Sequence, residues 1–208
     1  MIKLRLVPTV ILAAALLLPV ATTSAQDEAE ASVTPEVVAA EDARIEELRA
    51  LVPETLAGLP LRENLQVATG EQLAQQMSEE ERARFDAMLE ANGAILADYA
   101  AANAFLPIND TTAVVVQPHR VTGIDAAGTI DTWVELLSLN AAEPEVSVTT
   151  VSGHDVTLFS DAAEPDFPLL HLFAAGDIVW MVVAEDEALV EEAVAVLAGT
   201  SDEVAADG

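Results

Sequence analysis

Leu169-Leu-His-Leu-Phe-Ala-Ala-Gly-Asp-Ile-Val-Trp-Met-Val-Val183 is the stretch on which the fold turns. Two apolar runs rich in β-branched and aromatic residues flank the turn Ala175-Gly176-Asp177, a pattern that predicts a strong β-hairpin. The segment Glu185 to Leu197 then places Leu189, Val190, Ala193, Val194 and Leu197 at helical spacing. Its acidic first turn, Glu185-Asp186-Glu187, suits the positive end of a helix dipole.

Working toward the N-terminus, Val146 to Val151 and Val156 to Phe159 read as a second hairpin closed by Ser152-Gly153. Thr111 to Val121, with the run Ala113-Val114-Val115-Val116, reads as a buried strand. Ile124 to Leu139 reads as a helix with Trp133, Leu136 and Leu137 inward. Ser78 and Glu81 form a capping box, Ser-x-x-Glu, ahead of a stripe of Phe85, Met88, Leu89, Ile95, Leu96 and Tyr99 that Asn92-Gly93 interrupts. Thr69-Gly70 opens a short helix through Met77, and Leu61 to Ala68 is expected as an edge strand. Thr34-Pro35 starts a peripheral helix that Pro53 ends. The class expected is therefore α+β: a mainly antiparallel sheet with helices packed on one face.

Ahead of this domain, Met1 to Ala25 has the form of a cleaved signal peptide. Lys3 and Arg5 precede the apolar Leu6 to Val20, and Thr23-Ser24-Ala25 supplies small residues for cleavage. Four parts follow from this: a signal peptide over 1–25, a disordered acidic lead-in over 26–34, one α+β domain over 35–199, and an acidic flexible tail over 200–208. The expected location is secreted or extracytoplasmic by the general secretory route, with no membrane span after cleavage.

Charge narrows the partners. The chain has 8 basic and 36 acidic residues, a net charge of −28. Without Lys3 and Arg5 the balance becomes 6 − 36 = −30, with every remaining cation an arginine. Such a surface repels nucleic acid and other polyanions, leaving a cationic or neutral protein or small molecule as the expected partner. The acids are dispersed along the chain, as a protein kept soluble in saline surroundings would have them. The chain has no cysteine, which excludes disulfides, a thiol nucleophile, cysteine-bound metals and a lipid-modified cysteine.

No convergent catalytic set is visible. His119, His154 and His171 lack metal-ligand spacing, and no cofactor motif occurs. Ser152-Gly153-His154-Asp155 reads as a turn, because triad members are assembled by the fold and not by adjacency. Asp161, Glu164 and Asp166 share one loop and, with His154, are the candidate ligand-binding residues; the three acids could hold a weak divalent cation. Trp133 and Trp180 lie in periodic apolar segments and read as core, not as a sugar platform. A secreted, non-catalytic binding or interaction domain is the expected function, with the sheet face or an edge strand as contact surface. The alternatives are a secreted carboxylate-dependent hydrolase and an acidic inhibitor or decoy of a basic protein.

Three stretches carry a resemblance: Val151-Ser-Gly-His-Asp-Val-Thr157, Leu172-Phe-Ala-Ala-Gly-Asp-Ile-Val-Trp180 and Asp186-Glu-Ala-Leu-Val-Glu-Glu192. The stretch from Leu51-Val52-Pro53 to Gly58-Leu59-Pro60-Leu61 adds to them. Together they resemble an uncharacterised family of secreted or lipid-anchored α+β domains from high-GC bacteria. The resemblance covers most of the chain after the leader. It implies the fold but no activity, so no functional residue is carried over from it. The missing cysteine departs from the lipid-anchored members.

Overall fold

The computed structural model describes residues 35–109 and 113–206. The expected leader and lead-in, together with residues 110–112, 207 and 208, lie outside the described residues.

Among the described residues, nine strands and five α-helices follow in chain order. Helix α1 (Pro35–Leu51) leads to a small ribbon, β1 (Thr55–Leu56) with β2 (Leu59–Pro60), and then to β3 (Gln66–Thr69). Helices α2 (Gly70–Ala74) and α3 (Glu79–Ala91) precede the long strands β4 (Tyr99–Pro107) and β5 (Ala113–Val121). Helix α4 (Ile130–Ser138) comes next, then the hairpins β6 (Pro144–Val151) with β7 (His154–Asp161) and β8 (Leu170–Ala175) with β9 (Ile178–Ala184). Helix α5 (Glu187–Ala206) closes the chain. Seven strands form one sheet in the order β3-β4-β5-β9-β8-β7-β6, every neighbouring pair antiparallel.

Both expected hairpins form, and their turns explain why. Ser152 and Gly153 both take positive φ, 50° and 87°, as a two-residue type I′ turn requires. In the β8–β9 turn, positive φ falls on Gly176 alone, the demand of type II′. The capping box at Ser78 also forms: its hydroxyl accepts from the Glu81 N–H at 3.2 Å, and the Glu81 carboxylate accepts from the Ser78 N–H at 2.8 Å.

The helices cover both faces of the sheet, which corrects the expectation of one covered face. Ile178 to Val182 are all buried, and alternate residues of a strand point to opposite faces. Ile178, Trp180 and Val182 join Ala100, Ala102, Ala104, Val116 and Phe173 beneath Leu48 of α1 and Val190, Ala193, Val194 and Leu197 of α5. Val179 and Met181 join Tyr99, Ala101 and Leu172 beneath Leu73 of α2, Phe85 and Leu89 of α3, and Trp133 and Leu136 of α4. Helix α1 is accordingly not peripheral, since Leu48 and the following Val52 are fully buried. Arg62 anchors its end by donating from Nε and Nη2 to the Val52 carbonyl at 2.9 and 2.6 Å. Arg120 joins α1 to the β8–β9 turn through Glu47 at 2.9 Å and Asp177 at 2.6 Å.

Several boundaries move. Helix α3 stops at Ala91, and Tyr99 begins a strand, so the stripe from Phe85 to Tyr99 is not one helix. Ile95 stands exposed in the connection. The segment Ile124 to Leu139 is helical from Ala126, with a first turn of 3₁₀ geometry before α4. Helix α2 ends at Ala74, three residues short of Met77, and the edge strand β3 occupies only the last part of its expected span. Helix α5 runs through Ala206, past Thr200 where a flexible tail was expected.

Gly70 packs directly against the backbone of Leu96. A Cβ there would overlap the carbonyl oxygen of Leu96, whereas one at Gly128 would meet nothing within 4 Å. Gly70→Ala is therefore expected to lower unfolding free energy by about 2 kcal/mol or more, as overpacking against rigid backbone does. Gly128→Ala should shift it by less than about 1 kcal/mol, and urea titrations of the two variants check the contrast.

Candidate functional site

The candidate ligand residues do not converge. His154 opens β7 beside the turn, and Asp161 ends the same strand. Seven residue steps of extended chain separate them by roughly 23 Å. Among the described residues no group of three or more His, Asp or Glu is placed to hold a metal ion. Glu164 and Asp166 stay on the connection between β7 and β8, where the Glu164 N–H donates to the Asp161 carbonyl.

Asp161 has a structural task that its expected place on a loop disguises. It is 4% exposed, and its carboxylate accepts backbone N–H bonds from Ala142, Glu143 and Ala163 at 2.8, 2.9 and 3.0 Å. Burial raises its pKa, but the three N–H donors outweigh that and leave it below the usual carboxylate range. A second buried carboxylate, Glu81, caps α3 and also accepts from Asn140 Nδ2 at 2.9 Å. Burial raises its pKa as well, and the bonds from Ser78 and Asn140 bring it below the ordinary value. The two carboxylates thus grip one segment, Asn140 to Glu143, which delivers the chain into β6.

His119 is a further buried titratable group that spacing could not interpret. It is 5% exposed on β5, with Nδ1 hydrogen-bonded to the Tyr99 hydroxyl at 2.8 Å and Nε2 buried without a hydrogen-bond partner. The Trp133 ring lies 4.4 Å away between centroids, and Phe85 packs edge-on to Tyr99 at 4.7 Å. Burial holds the imidazole neutral and pushes its pKa down to about 4. His171, on β8, is also held below its ordinary value by burial, partly offset by the Val182 and Leu169 backbone and by Glu187. Trp133 and Trp180 are both buried in the core, as their periodic segments imply.

Pro118 accounts for a local weakness beside His119. It lies in an interior strand yet has no N–H to donate. The β4–β5 pairing lapses there, between Ala101↔His119 and Ala104↔Val116. The side chains of Gln117 and Asn103 meet across the gap at 3.4 Å.

What the fold leaves open is the outer edge of the sheet. β6 is its last strand, paired only to β7, and every residue from Pro144 to Thr150 is exposed. Val148 is 68% exposed and Val146 48%. Antiparallel strands exchange both hydrogen bonds at alternate pairs only. A two-residue type I′ turn closes on such a pair, here Val151↔His154. The alternation then turns the backbone N–H and C=O of Val146, Val148 and Thr150 away from β7. The nine residues from Val146 to His154 carry no formal charge, in a chain of net charge −28. No Lys, Pro or bulge interrupts the edge after Pro144, although such devices ordinarily guard an exposed edge. The sequence places Val146 to Val151 in a hairpin, but neither its exposure nor its position at the edge is legible there.

The chain matches no known protein family, no curated protein and no solved structure. Among the described residues no helix is long and apolar enough to cross a membrane.

Two outcomes are expected from the buried ionisable groups. Unfolded His119 takes up a proton near pH 6.5 and the folded residue only near 4. The unfolded state therefore binds more protons between these values, and stability falls as pH drops through that window, by about 3 kcal/mol in all. His171 contributes with the same sign. Urea unfolding at pH 7 and pH 5 should show a shallower loss in His119→Gln than in the parent, and parallel losses would contradict the assignment. Asp161→Ala should lower the urea midpoint and speed hydrogen exchange at the amides of Ala142, Glu143 and Ala163. Unchanged exchange at those three amides would show that the carboxylate does not hold the segment.

Proposed function

We propose that this protein is an exported, non-catalytic interaction domain that binds an extended, uncharged or cationic polypeptide segment along β6. The observation that supports it is the outer strand itself: exposed from Pro144 to Thr150, uncharged from Val146 onward, and carrying unpaired backbone groups. An added strand would satisfy those groups in the way β-augmentation does, with main-chain hydrogen bonds giving affinity and alternate side chains giving selectivity.

The rest of the molecule suits that use. A strand can serve as a template only if its own position is defined. β6 is held along one side by pairing that runs from Pro144↔Asp161 to Val151↔His154. Its leading segment is fixed by the carboxylates of Asp161 and Glu81. The acidic surround disfavours an acidic segment and favours a cationic one, most strongly at low salt. Export rests on the leader over 1–25, with Lys3 and Arg5 ahead of its apolar run.

The test uses amide resonances of β6 and three synthetic peptides of alternating Val and Thr: one plain, one with two Lys and one with two Glu. The plain and Lys-bearing peptides are expected to shift the amides of Val146, Val148 and Thr150. The Glu-bearing peptide should bind about tenfold more weakly or worse. Val148→Pro removes an outward N–H without removing a bond to β7, so it should abolish the shifts while thermal unfolding stays near that of the parent. Absence of β6 shifts with all three peptides, or equal shifts in Val148→Pro, would overturn the proposal.

A further inference from the structure

We infer that the segment β6 receives is β6 of a second copy, paired antiparallel about a twofold axis at Val148; this rests on the reading of β6 as a docking edge. The geometry allows such a pair without any new structure. Val146, Val148 and Thr150 are the residues whose backbone groups face outward. In an antiparallel pair centred on Val148 they meet one another: Val148 opposes its own mate, and Val146 opposes Thr150. All three oppositions are then hydrogen-bonded pairs. Ser147 opposes Thr149 on the other face. A twofold contact needs this self-complementarity, because the same patch serves both partners.

Charge selects the same place. Two copies of net charge −28 repel, so they can approach closely only where the surface is uncharged. The stretch from Val146 to His154 provides that on the sheet edge, and Glu145, the acid flanking it, falls opposite Val151 in the proposed register and not opposite its own mate. The exposed Val146 and Val148 side chains lie on the face that also carries Phe159, their β7 neighbour through Val146↔Phe159. In the pair, Val148 covers Val148 and each Val146 meets a Thr150, all β-branched, the side-chain type that packs best between strands. The contact is one strand wide and falls short of the ~1,600 Å² typical of stable interfaces. The dimer is consequently weak, concentration-dependent and strengthened by salt, which screens the repulsion but leaves the strand pairing intact.

The absence of cysteine gives a clean test. In the twofold pair the Val148 Cα atoms are about 5.5 Å apart, within disulfide reach. The two Thr150 positions are roughly 14 Å apart, beyond it. Under mild oxidation at about 1 M NaCl, Val148→Cys is expected to form a covalent dimer at least about tenfold faster than Thr150→Cys. Sedimentation of the unmodified protein should show a dimer that grows with concentration and tightens about tenfold or more between roughly 0.1 M and 1 M NaCl. Val148→Pro, which removes the N–H, and Val148→Glu, which keeps it but opposes two carboxylates on the axis, should both stay monomeric. A monomer under every condition overturns the inference, and so do equal cross-linking rates at the two positions. If the protein is monomeric while Val/Thr peptides still shift the β6 amides, only the second copy is lost and the docking edge stands. If the peptides fail as well, both are lost.

Discussion

The double burial of β9 is the constraint on which the rest of the structure depends. Five consecutive residues, Ile178 to Val182, are excluded from water, and a strand can achieve that only inside a sheet covered on both faces. Trp180 alone obliges α1 and α5 to close over one side, and Met181 obliges α2 to α4 to close over the other. The arrangement fixes where large and small side chains are tolerated. Beneath the helices on the first face, β4 presents Ala100, Ala102 and Ala104, which leave room for Leu48 and Val52. Toward the other side cover diminishes through β8 and β7, and from Pro144 to Thr150 of β6 it has run out.

That constraint also decides what could be read from the chain. The hairpins were legible because turn chemistry and β-branched runs coincide at Ser152-Gly153 and Gly176-Asp177, so local and global preferences agree there. Helix α3 was legible at its start, where Ser78 and Glu81 satisfy each other, but not at its end. Ile95, Leu96 and Tyr99 continue its spacing, and Ala100 to Ala104 are alanine-rich, so propensity favours helix across a segment that is strand. Tertiary context overrides propensity here: an interior strand pressed beneath two helices needs small residues, and alanine is small before it is a helix former.

Site residues follow the same division. Asp161, Glu164 and Asp166 look alike in the sequence, as acids on one loop, but only Asp161 is turned inward onto three N–H groups. The difference is a matter of which carboxylate the end of β7 points at the incoming β6 chain, a long-range fact that spacing does not encode. His119 is similar. Its partner Tyr99 is 20 residues away and its neighbour Trp133 belongs to another element. A buried neutral imidazole is written into the sheet register Tyr99↔Val121 and Ala101↔His119, not into any motif.

The two edges of the sheet are managed in opposite ways, and the contrast bears on the acidity. β3 has four residues and is followed at once by the capped helix α2, so it offers little to pair with. β6 has eight residues, no internal charge after Glu145, and free backbone groups along its outer side. A local lysine would guard such an edge under all conditions. A net charge of −28 spread over the molecule guards it only as far as the field reaches, and the Debye length falls from about 10 Å at 0.1 M salt to about 3 Å at 1 M. Distributed charge and an unguarded edge therefore act as one device: repulsion between like chains sets how closely they approach, while the strand sets what happens once they meet. Removing acids from the surface would expose β6 as surely as adding salt, which ties the composition of the whole chain to the behaviour of a single strand.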